Sequence, residues 1–502
     1  MAKGRNMNKM VCGLASLVAL MGVSSVSESL GAQTPEVKKE KVGEKETHLD
    51  QRALFDKTRR GVVTIKVSVV LSRDPYTKQW SGTGFMADKE KGLIVTNAHV
   101  AGELSVCSYE VKFGNGKKVE AKLEYLDPSY DFAILSVNPK DIPQYAMPLK
   151  ISNEELSINT EIYSMGNSAN NEFSTYKGYI FDIESILWLK PIAEQSFQFS
   201  GLTVPGASGS PVLNTKGEVV GLLYGGKFVS GAALPISYVR PVIETLIDGK
   251  KFHRYFCGFT INYGSVQDFI ANEGLTEEAQ KQYEEKFPDT DKILYVTRKL
   301  SAYGADDNKL EAGDIIWEIE DELIGPRLRR IDEIVQSKKG KTINVTVYRK
   351  GKKKELEMPT FELTNSSKMK MLSFAGAIFY ETPNEYKICF GKSNTGVYLS
   401  DCESGSAFSD VCYPNGGADM MSAGAQIVSI DGKDISNLDD LEESILKVCK
   451  KKVFTVRYIR NCSDSQISEV TVKHTPEFAE ARLYTFNTDK KRWDVKDIKT
   501  QG

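Results

Sequence analysis

Three short stretches carry residue types that together can hydrolyse a peptide bond. Ile94-Val95-Thr96-Asn97-Ala98-His99-Val100 is an apolar, strand-like run that delivers a histidine into a bend of small residues. A histidine fixed in that way suits a general base. Taken alone, it would more often be a structural histidine. Asp127-Pro128-Ser129-Tyr130-Asp131-Phe132-Ala133-Ile134-Leu135 puts Asp131 at the opening of an apolar strand, so partial burial is expected. A buried carboxylate is costly unless paired, and a histidine N–H would pair it. Asp127 reads as an ordinary turn residue. Pro205-Gly206-Ala207-Ser208-Gly209-Ser210-Pro211 flanks a serine with glycines. Glycines permit a tight backbone that turns N–H groups toward one point. The expected oxyanion donors are Gly206 and Ser208, with Ala207 as a third. The order His99, Asp131, Ser208 outweighs the bland reading of each residue. Ser208 would attack, His99 would take and return its proton, and Asp131 would hold the imidazole tautomer. Ser210 is the alternative nucleophile.

The elements that must position these groups are short strands. Between residues 51 and 250 the chain alternates apolar runs with turn residues, as in Val62–Val70, Gly92–Thr96, Phe132–Val137 and Glu218–Leu223. Many short strands at such spacing argue for an all-β barrel or sandwich. A helical stretch from Val239 to Ile247 is expected to close that unit. The second half repeats itself. Leu310–Ile319 resembles Met421–Ile430. Each copy follows a strand (Ile293–Thr297, Gly396–Leu399), precedes a helix (Arg330–Gln336, Leu438–Leu446) and ends in a basic strand (Thr342–Arg349, Val453–Arg460). Repeated elements in one order predict two homologous small domains.

Composition bounds the rest. The chain has 502 residues, 41% hydrophobic and 26% charged, which fits a soluble protein of several domains. A net charge of -2 gives no reason to expect nucleic acid. The runs Lys338–Lys341 and Arg349–Lys354 read as solvated hairpin faces. With only four histidines and no CxxC pair, a zinc site is not expected, and neither is an organic cofactor. Lys3, Arg5 and Lys9, the apolar run Met10–Val23 and the small residues to Ala32 have the layout of a secretory signal peptide. An uncleaved anchor, with loose membrane association, is the alternative. Residues 33–50 read as a charged tether containing His48. Beyond Cys12 the cysteines are Cys107, Cys257, Cys389, Cys402, Cys412, Cys449 and Cys462, too sparse for a disulfide scaffold. Cys402 and Cys412 could bridge in an oxidising compartment.

The three motifs, with Ser81-Gly82-Thr83-Gly84-Phe85 ahead of them, resemble those of the HtrA/Deg family of trypsin-like serine proteases with PDZ domains. The insert between Phe259 and Ile293 and the stretch Phe374–Phe379 resemble plant organellar Deg-type members. The resemblance implies a mainly β fold: a chymotrypsin-like double β-barrel followed by two PDZ-like α/β domains. The implied boundaries are a signal peptide (1–32), a tether (33–50), a protease domain (51–250), PDZ domains (252–362 and 370–475) and a C-terminal tail (476–502). Ala207 and Ser210 depart from the family, which usually has Asn and Gly there. The specificity pocket is expected from Leu202, Thr203, Tyr224, Gly225 and Gly226. None is acidic, so cleavage after small or medium apolar residues is expected. Peptide carboxylates are expected at Tyr255-Phe256-Cys257-Gly258-Phe259, and in the second copy at Phe374–Ile378. The second copy could instead be purely structural. The implied partners are unfolded or misfolded polypeptides, peptide C-termini and further copies of the chain, in trimers or multiples of trimers. The implied setting is the bacterial periplasm or the outside of the cell. The competing reading is a chaperone or PDZ adaptor with a silent protease domain.

Overall fold

The structure, a computed structural model, describes residues 51–502 apart from 72–78, 103–104, 169–170, 187–194, 202, 228, 273–274, 300–308, 364–369, 382–395, 413–420, 461–465, 479 and 499–502. The leader and tether expected over residues 1–50, with His48, lie outside the described residues, as do Leu202, Cys389 and Cys462.

Helix α1 (Gln51–Arg59) leads into six strands: β1 (Val62–Leu71), β2 (Gln79–Asp88), β3 (Leu93–Thr96), β4 (Val106–Phe113), β5 (Lys118–Asp127) and β6 (Phe132–Val137). They close a barrel in the order β1-β2-β3-β6-β5-β4. The period-2 pattern of β5 shows why. Val119, Ala121 and Leu123 are buried while Lys118, Glu120 and Lys122 are exposed, so one face meets the core and the other meets water. A second barrel follows: β7 (Glu161–Ser168), β8 (Asn171–Ile186), β9 (Gln195–Ser200), β10 (Pro211–Leu213), β11 (Val219–Lys227) and β12 (Ser230–Pro235). It closes in the order β10-β11-β12-β9-β8-β7. Helix α2 (Arg240–Ile247) ends this double barrel, burying Val242 and Ile243.

The first repeat copy contains β13 (Arg254–Phe256), β14 (Phe259–Ser265), α3 (Val266–Asn272), α4 (Glu277–Lys286), β15 (Lys292–Lys299), β16 (Ile315–Ile319), β17 (Glu322–Leu323), α5 (Leu328–Lys338), β18 (Ile343–Arg349), β19 (Lys352–Met358) and β20 (Phe361–Leu363). Thr276 caps α4 by accepting from the Ala279 N–H. One contiguous apolar cluster joins barrel residues such as Phe132, Leu222 and Tyr238 to Phe259, Ile261, Leu328 and Ile331 of this copy.

The second copy contains β21 (Lys370–Phe374), β22 (Ala377–Glu381), β23 (Val397–Cys402), β24 (Gln426–Ile430), β25 (Lys433–Asp434), α6 (Leu438–Val448), β26 (Val453–Ile459) and β27 (Ile467–Lys473). The segment read from the sequence as a tail is no tail. It carries β28 (Ala481–Asn487) and β29 (Arg492–Asp497), which join the same sheet through β21. The first strand, with Leu483, Tyr484 and Phe486, breaks the period-2 alternation that would have marked the hairpin in sequence.

Two thiols test the packing. Burial pushes both Cys107 and Cys257 up to about 12. A thiolate is the reacting form. Both should therefore stay unlabelled by a maleimide near neutral pH in the folded protein and react once urea unfolds it. Peptide mapping by mass spectrometry reads the difference.

Candidate active site

The end of β3 turns through Asn97–Gly102, where Ala101 N–H donates to the Asn97 carbonyl at 3.0 Å. Val100 locks this turn onto β2. A methyl on Gly82 would lie 2.6 Å from its Cγ1, so only glycine admits that contact. Trp80 Nε1 donates to the Val100 carbonyl at 2.8 Å. The turn presents His99 with its side chain 38% exposed, while the Asp131 side chain is 3% exposed. His99 Nδ1 lies 2.8 Å from Asp131 Oδ2, and the His99 backbone N–H donates to Oδ1 at 3.0 Å. A proton on Nδ1 facing a carboxylate leaves Nε2 as the base. Asp131 has φ 54°, a left-handed conformation that costs a non-glycine residue about 1–3 kcal/mol. Asn97 Nδ2 holds it by donating to its carbonyl at 2.9 Å.

The Ser208 loop is fixed from both barrels. Gly206 and Gly209 have φ 96° and 88°. A methyl on Gly209 would lie 1.9 Å from the Thr83 carbonyl oxygen. Thr83 N–H donates to the Ser208 carbonyl at 2.9 Å, and Thr83 Oγ1 donates to the Gly206 carbonyl at 2.9 Å. The same Oγ1 accepts from Asn167 N–H at 2.8 Å. The Thr83 carbonyl accepts from Thr96 Oγ1 at 2.7 Å, three residues before His99. On the other side, Gly209 N–H donates to the Leu223 carbonyl at 2.8 Å. Thr83 is the functional residue that sequence reasoning missed. It stood inside a recognised stretch, but nothing in its type announced four bonds.

The structure sorts the oxyanion residues. Among the described residues, the N–H groups of Gly206 and Ser208 donate to nothing. The Ala207 N–H is a correction: it turns inward to the Val204 carbonyl at 3.2 Å. Ser210 is buried and its Oγ donates to the Ala207 carbonyl at 2.5 Å, whereas Ser208 is half-buried. A spent, enclosed hydroxyl is a poor nucleophile, which removes the Ser210 alternative.

The pocket residues separate likewise. Tyr224 is no pocket wall: it is buried, with its hydroxyl bonded to Ser196 Oγ. Thr203 Oγ1 donates to the Ser230 carbonyl at 3.1 Å, and Gly226 packs against both groups. A methyl on Gly225 would meet open space. Leu202 lies outside the described residues.

Neither carboxylate loop is an open cradle. In the first copy, Tyr255 N–H donates to Gln336 Oε1 at 3.0 Å, and Gln336 Nε2 donates to the Tyr255 carbonyl at 2.8 Å. Phe256, Cys257 and Phe259 are buried, and Tyr130 and Tyr238 of the double barrel help line the space between them and α5. What remains is a cavity of about 30 Å³, the room of a water. In the second copy, Ala375-Gly376 is a two-residue turn, with φ 49° and 84°, joining β21 to β22. Its Ala375 N–H donates to the Glu480 carbonyl at 3.3 Å. The β22 edge that a peptide would need already pairs with β21 from Ala377 to Tyr380.

Thr83→Val keeps the volume and removes the hydroxyl. It leaves the part-buried Gly206 carbonyl and the buried Asn167 N–H without their Thr83 partner, a buried orphan costing about 1–3 kcal/mol. Labelling of Ser208 by a fluorophosphonate probe should slow at least about tenfold, equivalent to about 1.4 kcal/mol on the barrier. Ser210→Ala should label at close to the parent rate, and Ser208→Ala not at all.

Comparison with known proteins agrees with this geometry. The trypsin-like peptidase domain family matches residues 82–222, and the PDZ domain family matches residues 286–360. A pro-apoptotic serine protease NMA111 of Pyricularia oryzae is 28% identical over 90% of this chain and 43% of its own length. Its counterpart in Meyerozyma guilliermondii is 27% identical over 88% of this chain and 44% of its own. The chain thus spans less than half the length of these curated relatives. A solved HtrA-type protease AlgW with decapeptide is 18% identical, with a TM-score of 0.47, over 62% of this chain and 99% of that one. The fungal relatives overturn the expected bacterial, periplasmic or secreted setting. A basic start and apolar run are a generic pattern and do not identify a compartment. The chain thus carries a trypsin-like peptidase domain, built as two closed barrels, with a PDZ domain behind it, in agreement with its resemblance to the HtrA/Deg family of serine proteases.

Proposed function

We propose that this chain is a serine endopeptidase that cleaves unfolded or damaged polypeptides through an acyl-enzyme on Ser208. The single observation that carries the reading is the buried Asp131 carboxylate bound twice to His99, with the Ser208 loop stapled to the adjoining strand through Thr83. His99 Nε2 takes the Ser208 proton as Oγ attacks the scissile carbonyl. The N–H groups of Gly206 and Ser208 receive the oxyanion. His99 then protonates the leaving amine, and water repeats the sequence in reverse to free the enzyme. Gly225, bordering open space beside Thr203 and Gly226, supports a pocket for small or medium apolar side chains. Assembly as trimers or multiples of trimers belongs to this reading and rests on the family resemblance alone.

A second reading, a resting or silent protease, is favoured by two observations. Among the described residues no hydrogen bond joins Ser208 Oγ to His99. Tyr130 and Tyr238 line the small cavity that remains beside the first carboxylate loop. A C-terminal peptide bound there would have to move them. Apo triads are often loosely bonded, so the first reading stands ahead.

Casein degradation separates the readings. The parent protein should degrade casein and Ser208→Ala should not. Asp131→Asn should reduce kcat by about 10⁴-fold, because the wrong tautomer then faces Ser208. Equal, zero degradation by parent and Ser208→Ala, with heat and added C-terminal peptides, would establish the silent reading instead.

A further inference from the structure

A second charged cluster lies one turn of chain from the triad. Arg254 opens β13, beyond the double barrel, yet it is 3% exposed. Its Nε donates to Asp127 Oδ2 at 2.9 Å. A terminal nitrogen lies 3.6 Å from Asp332 Oδ2 on α5, and the other donates to the Tyr238 carbonyl at 3.4 Å. The guanidinium covers the rings of Tyr130 at 4.5 Å and Phe252 at 5.0 Å. Asp127, 2% exposed, also accepts from the Tyr125 hydroxyl at 3.1 Å and from the Tyr130 N–H at 3.3 Å. Tyr130 in turn donates its hydroxyl to Asp332 Oδ1 at 2.8 Å. The residue after Tyr130 is Asp131.

The electrostatics make Arg254 the keystone. Burial alone would lower its pKa, but Asp127, Tyr125, Asp332 and Tyr130 together reverse that and raise it. Burial raises Asp332, and Arg254 offsets only part of the rise. Buried Asp127 and part-buried Asp332 therefore share one cation. Removing it leaves Asp127 as an uncompensated buried charge, which is strongly destabilising. The stranded Asp127 is the group that ties down the Asp127–Asp131 turn. Asp131 ends that turn at φ 54°, a conformation that persists only where its surroundings over-determine it.

Resting on the endopeptidase reading, we propose that Arg254 is a positioning residue for catalysis: from the first PDZ domain it fixes the Asp127–Asp131 turn and so the register of Asp131 on His99. It touches neither substrate nor reacting atoms. Displacing a catalytic group by about 1 Å can cost about 10²-fold, so the effect belongs in kcat.

The test uses the full chain, a short chromogenic peptide, and the variants Arg254→Gln, Arg254→Lys and Arg329→Ala. Arg329 anchors the same domain to the double barrel through its side chain, one terminal nitrogen donating to Ser237 Oγ at 3.4 Å and the other pairing with Glu155 at 3.5 Å, with no bond to the Asp127 turn among the described residues. Arg254→Gln should lower kcat roughly 10- to 100-fold with KM little changed. Arg254→Lys, which keeps the cation, should recover part of the loss, and Arg329→Ala should keep the parent kcat. A readout without turnover accompanies this: in a Ser208→Ala background, the downfield NMR signal of the hydrogen-bonded His99 Nδ1–H should weaken or vanish on adding Arg254→Gln. An unchanged His99 signal and parent-like kcat would overturn the proposal. So would an equal kcat loss in Arg329→Ala, which would assign the effect to domain docking in general. A parent protein with no turnover would sink the endopeptidase reading alone, because the NMR comparison still decides the role of Arg254. If Arg254→Gln fails to fold, Asp127→Asn, which removes the charge that Arg254 holds on the turn, takes its place with the same two outcomes.

Discussion

One threonine side chain and its peptide group hold the two barrels in catalytic register. Thr83 belongs to the first barrel. Through its N–H and Oγ1 it grips the carbonyls of Ser208 and Gly206 from the second, and its own carbonyl receives Thr96 at the end of the strand that leads to His99. Backbone polar groups in a buried place must find partners, and here those partners lie across the barrel boundary. The requirement that keeps the interior satisfied therefore also ties the Ser208 loop to the strand that leads to His99. The glycine at 209 follows from the same approach, since a side chain there would collide with the Thr83 carbonyl.

The domain behind the barrels is joined to them as a core is joined, not as a tethered module. Tyr130 and Tyr238 pack ring to ring at 5.1 Å and line the cavity of about 30 Å³ beside the first carboxylate loop. A fully buried aromatic contributes about 1.5–3 kcal/mol through lost apolar surface. Any ligand that opens the groove competes with that contact and with the Tyr130–Asp332 hydrogen bond. Opening that cavity and the stability of the Asp127–Asp131 turn thus draw on the same residues.

What the sequence disclosed follows from what is local in it. Period-2 runs such as Lys118–Asp127 and the repeated Leu310–Ile319 and Met421–Ile430 were legible, because burial writes its period into the chain. His99 and Asp131 were legible because each sits at the end or start of an apolar strand, and the structure brings them to 2.8 Å. Ala207 and Tyr224 were misassigned for one reason. Whether an N–H or a ring faces a site or the interior depends on a single backbone turn, and neighbouring residue types do not encode it. Asp127 looked like a turn residue and is one. Its partner Arg254 lies more than a hundred positions away, so only the fold reveals that the turn is charged and locked. The closure of both peptide grooves was invisible for the same reason.

The hairpin at Ala375-Gly376 has a consequence for the surface of the second repeat copy. By folding β21 back on β22 and adding β28 and β29, the chain moves the open rim of that sheet from β22 to β29. An open rim of strand invites other chains to pair with it. The new rim reads Arg492, Trp493, Asp494, Val495, Lys496, Asp497, with charges of both signs and most positions solvated. Such a border resists accretion of other extended chains. The sheet has exchanged a receptive margin for a guarded one.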